Sequence, residues 1–295
     1  MCDERTELDL VTRPAAGLSR RRFALTGAVA AIASACRPGT SADAGIQSGG
    51  AALAEQAVTF PTADGMADGF FVHPQRGAHP AILMWPDIAG LRAAYETMAR
   101  RLAGAGYAVL VINQYYRSAR SPVLESFAEW RTPEGKARLQ PMISAITAVG
   151  TSRDAAACVG WLDRQPAVDS ARGIGSSGYC MGGPFAVRTA AAAPLRVKAA
   201  ASFHGAALVT ERDDSPHRLL GQTQARYLFA IAQNDDARAP GDKDTLRAAA
   251  QAAGRPAEVE VYPAEHGWCT IDSPVHDPVQ AERAWGRMLA LFGAL

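Results

Sequence analysis

The stretch Gly175-Ser176-Ser177-Gly178-Tyr179-Cys180-Met181-Gly182-Gly183 follows a short apolar run and sets a cysteine between two glycines in the spacing G-x-Cys-x-G. That spacing predicts a sharp strand-to-helix turn. Glycines two residues on either side of the central residue keep side chains from colliding there, and the central side chain is left standing above the sheet edge. A helix N-terminus lies behind it. A thiol so placed has its ionised form favoured by the positive end of the helix dipole, and the thiolate is the species that attacks. The alternative reading of Cys180 taken alone is a small buried cysteine in a tight turn.

Two further residues arrive in the order that a nucleophile on such a turn needs. The strand pattern from Arg226 runs to Asn234 and ends in Asp235 and Asp236. Asp235 is expected to turn in as the acid while Asp236 points along the next loop. The alternating pattern from Ala257 to Tyr262 leads into Pro263-Ala264-Glu265-His266-Gly267-Trp268, so His266 falls just past a strand end. Cys180, Asp235 and His266 all reach the carboxyl edge of predicted parallel strands, where open α/β sheets build their sites.

The rest of the pattern supports one such sheet. Ala57–Phe60 and Gly69–Val72 read as a hairpin with a turn signal at Asp64-Gly65, and Ala81–Trp85 as the first buried strand. Leu91, Tyr95, Met98 and Leu102 mark one helix face, which Gly104 and Gly106 end before the strand Tyr107–Ile112. A polar insertion from residue 114 to about 140 is expected to overhang the site. A long helical pattern reaches Leu162, Val197–Phe203 reads as a strand, and Trp285, Met288, Leu289 and Phe292 form the core stripe of a last helix. The predicted class is α/β, a mostly parallel sheet with helices on both faces.

Composition narrows the function. Of 295 residues 48% are hydrophobic and 20% charged, and the net charge is +1. Residues 1–35 hold five basic and four acidic groups, leaving 25 of each, a balance that argues against a nucleic-acid partner. No run of 18 apolar residues is present, so no spanning helix is predicted. Ser19-Arg20-Arg21-Arg22-Phe23 precedes a weakly apolar alanine-rich segment to Ala35, which resembles a twin-arginine export signal. Export to the periplasm or cell envelope is therefore expected. The alternative is a basic tail followed by alanines. Cys36 also resembles the lipid-anchoring cysteine of a bacterial lipoprotein box, and residues 36–55 read as a flexible tether. The organisation expected is thus 1–35 signal, 36–55 tether and 56–295 catalytic domain, acting as a monomer without cofactor. The histidines show no metal-ligand spacing, and Gly173-Ile174-Gly175-Ser176-Ser177-Gly178 spells G-x-G-x-x-G with no apolar strand before it, so neither a metal nor a dinucleotide site is expected. His204 either lines the pocket or is a structural histidine. Cys158 reads as core. Cys269 either packs under the His266 loop or approaches Cys180.

From about residue 56 onward the chain resembles the dienelactone hydrolase family of cysteine α/β-hydrolases. The matching residues are Gly178-Tyr179-Cys180-Met181-Gly182-Gly183, Asn234-Asp235, His266-Gly267-Trp268, Trp85-Pro86-Asp87-Ile88-Ala89-Gly90-Leu91 and Asn113-Gln114-Tyr115-Tyr116-Arg117. The resemblance implies hydrolysis of a small ester or lactone through a thioester on Cys180. Asp235 and His266 would complete the triad, and the backbone N–H groups of Met181 and Ile88 the oxyanion hole. Where the family has a glutamate that contacts the resting nucleophile this chain has Asp87. Arg117 matches an arginine that helps hold the substrate carboxylate, and the family's second such arginine, four residues after the histidine, is Thr270 here. Two other classes are weighed beside this one: an exported hydrolase-fold binding protein without activity, and a thiol-redox protein using Cys180 and Cys269.

Overall fold

The computed structural model describes residues 52–295; the expected signal, Cys36 and most of the expected tether lie outside them. The chain enters as β1 (Leu53–Thr62) and β2 (Gly65–Pro74), an antiparallel hairpin in which Thr62 pairs with Gly65. Leu53, Ala54 and Glu55, expected in the tether, are therefore sheet residues. There follow β3 (Ala81–Trp85), α1 (Ala93–Gly104), β4 (Ala108–Ile112), α2 (Phe127–Trp130), α3 (Pro133–Ser144), α4 (Ala148–Leu162), β5 (Ile174–Tyr179), α5 (Gly182–Ala192) and β6 (Val197–Phe203). After a 3-10 turn at Pro216–Gln222 come β7 (Arg226–Ala232), α6 (Gln233–Arg238), α7 (Asp242–Ala252), β8 (Ala257–Tyr262) and α8 (Pro278–Phe292).

The eight strands form one sheet in the order β1-β2-β4-β3-β5-β6-β7-β8, antiparallel through β2 and β4 and parallel from β4 to β8. This is the α/β-hydrolase architecture. Alternation along each strand divides the core. On β3, Ile82 and Met84 face α1 and α8 with Tyr95, Leu102, Met288 and Phe292, whereas Leu83 and Trp85 face α4 and α5 with Val159, Leu162 and Phe185. Each fully buried side chain of this size contributes about 1.5–3 kcal/mol. The chain order reverses direction across the sheet between β3 and β5, and ligand crevices form outside the strand ends at such a switch point. The loops after β3 and β5 flank that crevice.

Two local features matter for the site. The G-x-G-x-x-G run lies in or against the buried strand β5 instead of in a phosphate-binding loop. Strand β7 stops at Ala232 because the Gln233 N–H turns to the Ala264 carbonyl, and the chain coils into α6. The acids expected past Asn234 thus sit on a helical turn.

Candidate active site

The elbow is built by close backbone approach. A Cβ on Gly178 would lie 1.9 Å from the Gly182 carbonyl oxygen, and one on Gly182 would lie 2.3 Å from that of Trp85. Only glycine lets β5, α5 and the β3 loop converge so tightly. Between them Cys180 is held at φ +51°, the left-handed region that a residue with a Cβ rarely occupies. Its N–H donates to the Phe203 carbonyl at 3.0 Å, and its carbonyl accepts from Gly183 and Ala206 at 3.0 and 3.1 Å. The thiol residue is 4% exposed and stands at the start of α5.

His266 is fixed from two sides. Its N–H donates to the Asn234 side-chain oxygen at 2.9 Å, and its Nδ1 lies 2.7 Å from Asp235 Oδ2. The other Asp235 oxygen pairs with Arg238 at 3.3 Å. Asp236 points away and pairs with Lys243 at 2.7 Å. With Nδ1–H donating to a carboxylate, Nε2 is the basic nitrogen.

The loop after β3 carries Asp87 and Ile88. The backbone N–H groups of Ile88 and Met181 donate to no partner among the described residues. Tyr115 ties their two loops, its hydroxyl donating to the Ile88 carbonyl at 2.7 Å and lying 4.0 Å from the Met181 sulfur. Gln114 Nε2 donates to the Asp87 carbonyl at 2.7 Å. Asp87 was expected at the thiol; both its oxygens are engaged by Arg92 at 2.8 and 3.0 Å, and Oδ1 also accepts from the Ala89 N–H. Arg92, Gln114 and Tyr115 were not among the expected site residues. Tyr115 and Gln114 stand in a quoted motif, but no spacing rule pairs Arg92 with a carboxylate 180 positions away.

Arg117, expected at a substrate carboxylate, bonds to carboxylates of the chain itself. Its guanidinium bonds to Asp64 at 2.5 Å and to both oxygens of Asp154 at 2.8 Å, bracing the hairpin turn against α4. Those two carboxylates neutralise the charge that a substrate anion would need. His204 adopts φ +39° at the end of β6, and its ring meets that of His266 edge-on at 4.9 Å and that of Trp268 at 5.2 Å. Neither of its nitrogens has a partner among the described residues. Burial, and then the neighbouring His266, push its pKa well below the usual imidazole value, so it is neutral. Among the described residues Cys158, Cys180 and Cys269 are outside any disulfide. Cys269 lines an apolar cavity of about 170 Å³ beside Tyr179, Phe203 and Trp285, and burial raises its thiol pKa well above the ordinary value. No cluster of metal-ligating side chains occurs among the described residues.

Residues 67–295 match the Dienelactone hydrolase family. A protein of Methylorubrum extorquens that carries the name carboxymethylenebutenolidase is 25% identical over 283 residues, covering 93% of this chain and 92% of its own. A Bradyrhizobium protein named as a 2-oxo-3-(5-oxofuran-2-ylidene)propanoate lactonase is 28% identical over 163 residues, 54% of this chain and 60% of that one. Among solved structures, a dienelactone hydrolase from Klebsiella pneumoniae superposes with a TM-score of 0.72 at 22% identity, over 83% of this chain and all of the other.

Proposed function

The chain belongs to the dienelactone hydrolase family, and from that premise we propose that this hydrolase opens uncharged carboxylic esters or lactones through a thioester on Cys180. The observation that carries the reading is the conjunction of a cysteine at φ +51° on a glycine-walled elbow with a histidine whose Nδ1 lies 2.7 Å from a carboxylate. His266 Nε2 takes the Cys180 proton, the sulfur attacks the carbonyl carbon, and Asp235 fixes the tautomer and supports the imidazolium. The N–H groups of Met181 and Ile88 receive the oxyanion, each worth about 10²–10³ in rate. Collapse expels the alcohol or enol with the proton from His266. His266 then activates water against the thioester, and the acid leaves with the thiol restored.

Charge at the site supports an uncharged substrate. Arg117 is neutralised by two carboxylates, Thr270 is uncharged, and Arg92 is matched by both Asp87 and Asp272. A carboxylated lactone would lose a charge-assisted contact worth about 1.5–3 kcal/mol, roughly ten- to a hundredfold in kcat/KM. The test is a panel of neutral and carboxylated lactones, thioesters and aryl esters with Cys180→Ala as control. Full esterase activity in Cys180→Ala would remove the thioester, and a strong preference for the carboxylated lactone would remove the neutral-substrate assignment. Residues 1–35 are proposed to direct export by the twin-arginine route, with the hydrolase working in the periplasm or envelope.

A further inference from the structure

Arg92 occupies the N-cap position of α1, makes no side-chain capping bond there, and has no side-chain exposure. All five of its N–H donors are used. Nη1 donates to Asp87 Oδ1 at 2.8 Å and to the Gly90 carbonyl at 3.0 Å, Nη2 to Asp87 Oδ2 at 3.0 Å and Asp272 Oδ1 at 2.7 Å, and Nε to Asp272 Oδ2 at 2.8 Å. The rings of Tyr95 and Phe127 lie 5.0 and 5.8 Å from the guanidinium carbon. Asp272 also accepts the Phe127 N–H at 3.0 Å, so the cluster reaches the first residue of α2 in the insertion. The Tyr95 hydroxyl accepts the Asp87 N–H at 2.9 Å and meets Thr270 Oγ1 at 3.4 Å, a second tie between the same two loops.

These bonds join three segments far apart in sequence: the loop bearing Ile88, the loop that follows His266, and the insertion. One cation against two carboxylates is an expensive way to fill a core, because apolar side chains of similar volume commonly stabilise as well or better. What the guanidinium supplies is direction. Its planar fork fixes two carboxylates in one plane, which neither lysine nor an apolar residue can do.

Resting on the reading of Cys180, His266 and Ile88 given above, we propose that Arg92 is a positioning residue for hydrolysis. It holds the oxyanion donor of Ile88 and the base His266 in one register, and ties the insertion at Phe127 to the same anchor. A shift of about 1 Å in either group is enough to cost about a hundredfold in rate while leaving ground-state binding in place.

The experiment uses the full chain with Arg92→Lys and the triple variant Arg92→Met/Asp87→Asn/Asp272→Asn, which removes all three charges of the cluster and so leaves no carboxylate there unpaired. The readouts are kcat and KM for a neutral aryl ester, melting temperature, and the effect of alkylating Cys180 with iodoacetamide. Both variants are expected to lose about ten- to a hundredfold in kcat, with KM changed by no more than about twofold. Wild-type kcat in a folded triple variant, or a loss confined to KM, would overturn the assignment. If the triple variant does not fold, Arg92→Lys decides, and wild-type kcat there overturns it equally. Turnover that survives complete alkylation of Cys180 would instead bring down the thioester reading, which separates the two failures.

Discussion

Cys180 and His204 both occupy left-handed backbone conformations at neighbouring strand ends, and each departs from what its side chain prefers. Such strain persists where the surrounding structure over-determines it, here through the Cys180 N–H to Phe203 and the His204 N–H to Ala230. At Asp235 and Asp236 the chemistry separates neighbours. Asp235→Asn is expected to lower kcat by about 10²–10⁴ because the imidazole loses its tautomer. Asp236→Asn, which frees only Lys243, should leave kcat within about twofold. Steady-state kinetics on the pair checks this, and the reverse order would move the acid by one residue. His204 carries a pH dependence. Its folded pKa lies below its unfolded value of about 6.5, so below that pH the unfolded chain binds a proton that the folded chain refuses. Stability is full above about 6.5 and falls as pH drops, by up to about 1.4 kcal/mol per unit. His204→Phe keeps the edge-on ring and should flatten the difference between urea midpoints at pH 8 and pH 5.5.

Between elements, the arginines act as braces. Arg117 reaches from the segment after β4 to Asp64 in the hairpin turn and to Asp154 on α4, while the Tyr116 hydroxyl donates to the same Asp154 at 2.6 Å. Arg117→Ala should therefore cost about 2–4 kcal/mol of stability, because Asp154 is left buried beside a single neutral donor. The ratio of kcat/KM between carboxylated and neutral lactones should not change. Denaturant titration and substrate pairs test the two halves, and a collapse of activity toward the carboxylated lactone alone would return Arg117 to the substrate. The hairpin, the alternation of strands with helices and the elbow were legible from periodicity and glycine spacing, because each depends on neighbours within a few residues. The end of β7 was not. The expected strand runs to Asn234, yet the chain leaves the sheet at Gln233, whose N–H donates to the Ala264 carbonyl in another strand's loop.

For the molecule as a whole, the balanced charge outside residues 1–35 leaves the basic run Arg20-Arg21-Arg22 as the strongest local charge feature of the N-terminus. Replacing Arg20 and Arg21 by lysine is expected to keep the protein in the cytoplasm, followed by cell fractionation and immunoblot. Unchanged export would show that another pathway reads the segment or that it is no signal. The elbow that carries Cys180, the chain order of Cys180, Asp235 and His266 and the α/β layering were set by the sequence alone, since strand and turn chemistry is local and the sheet brings every strand's carboxyl end to one edge. The allocation of charge was decided only by tertiary structure. Asp87, Arg92, Arg117 and Asp272 are indistinguishable in sequence from substrate-binding groups. Which cation meets which carboxylate depends on distances between loops about 180 residues apart, and a buried charge takes whichever partner the packing brings within reach.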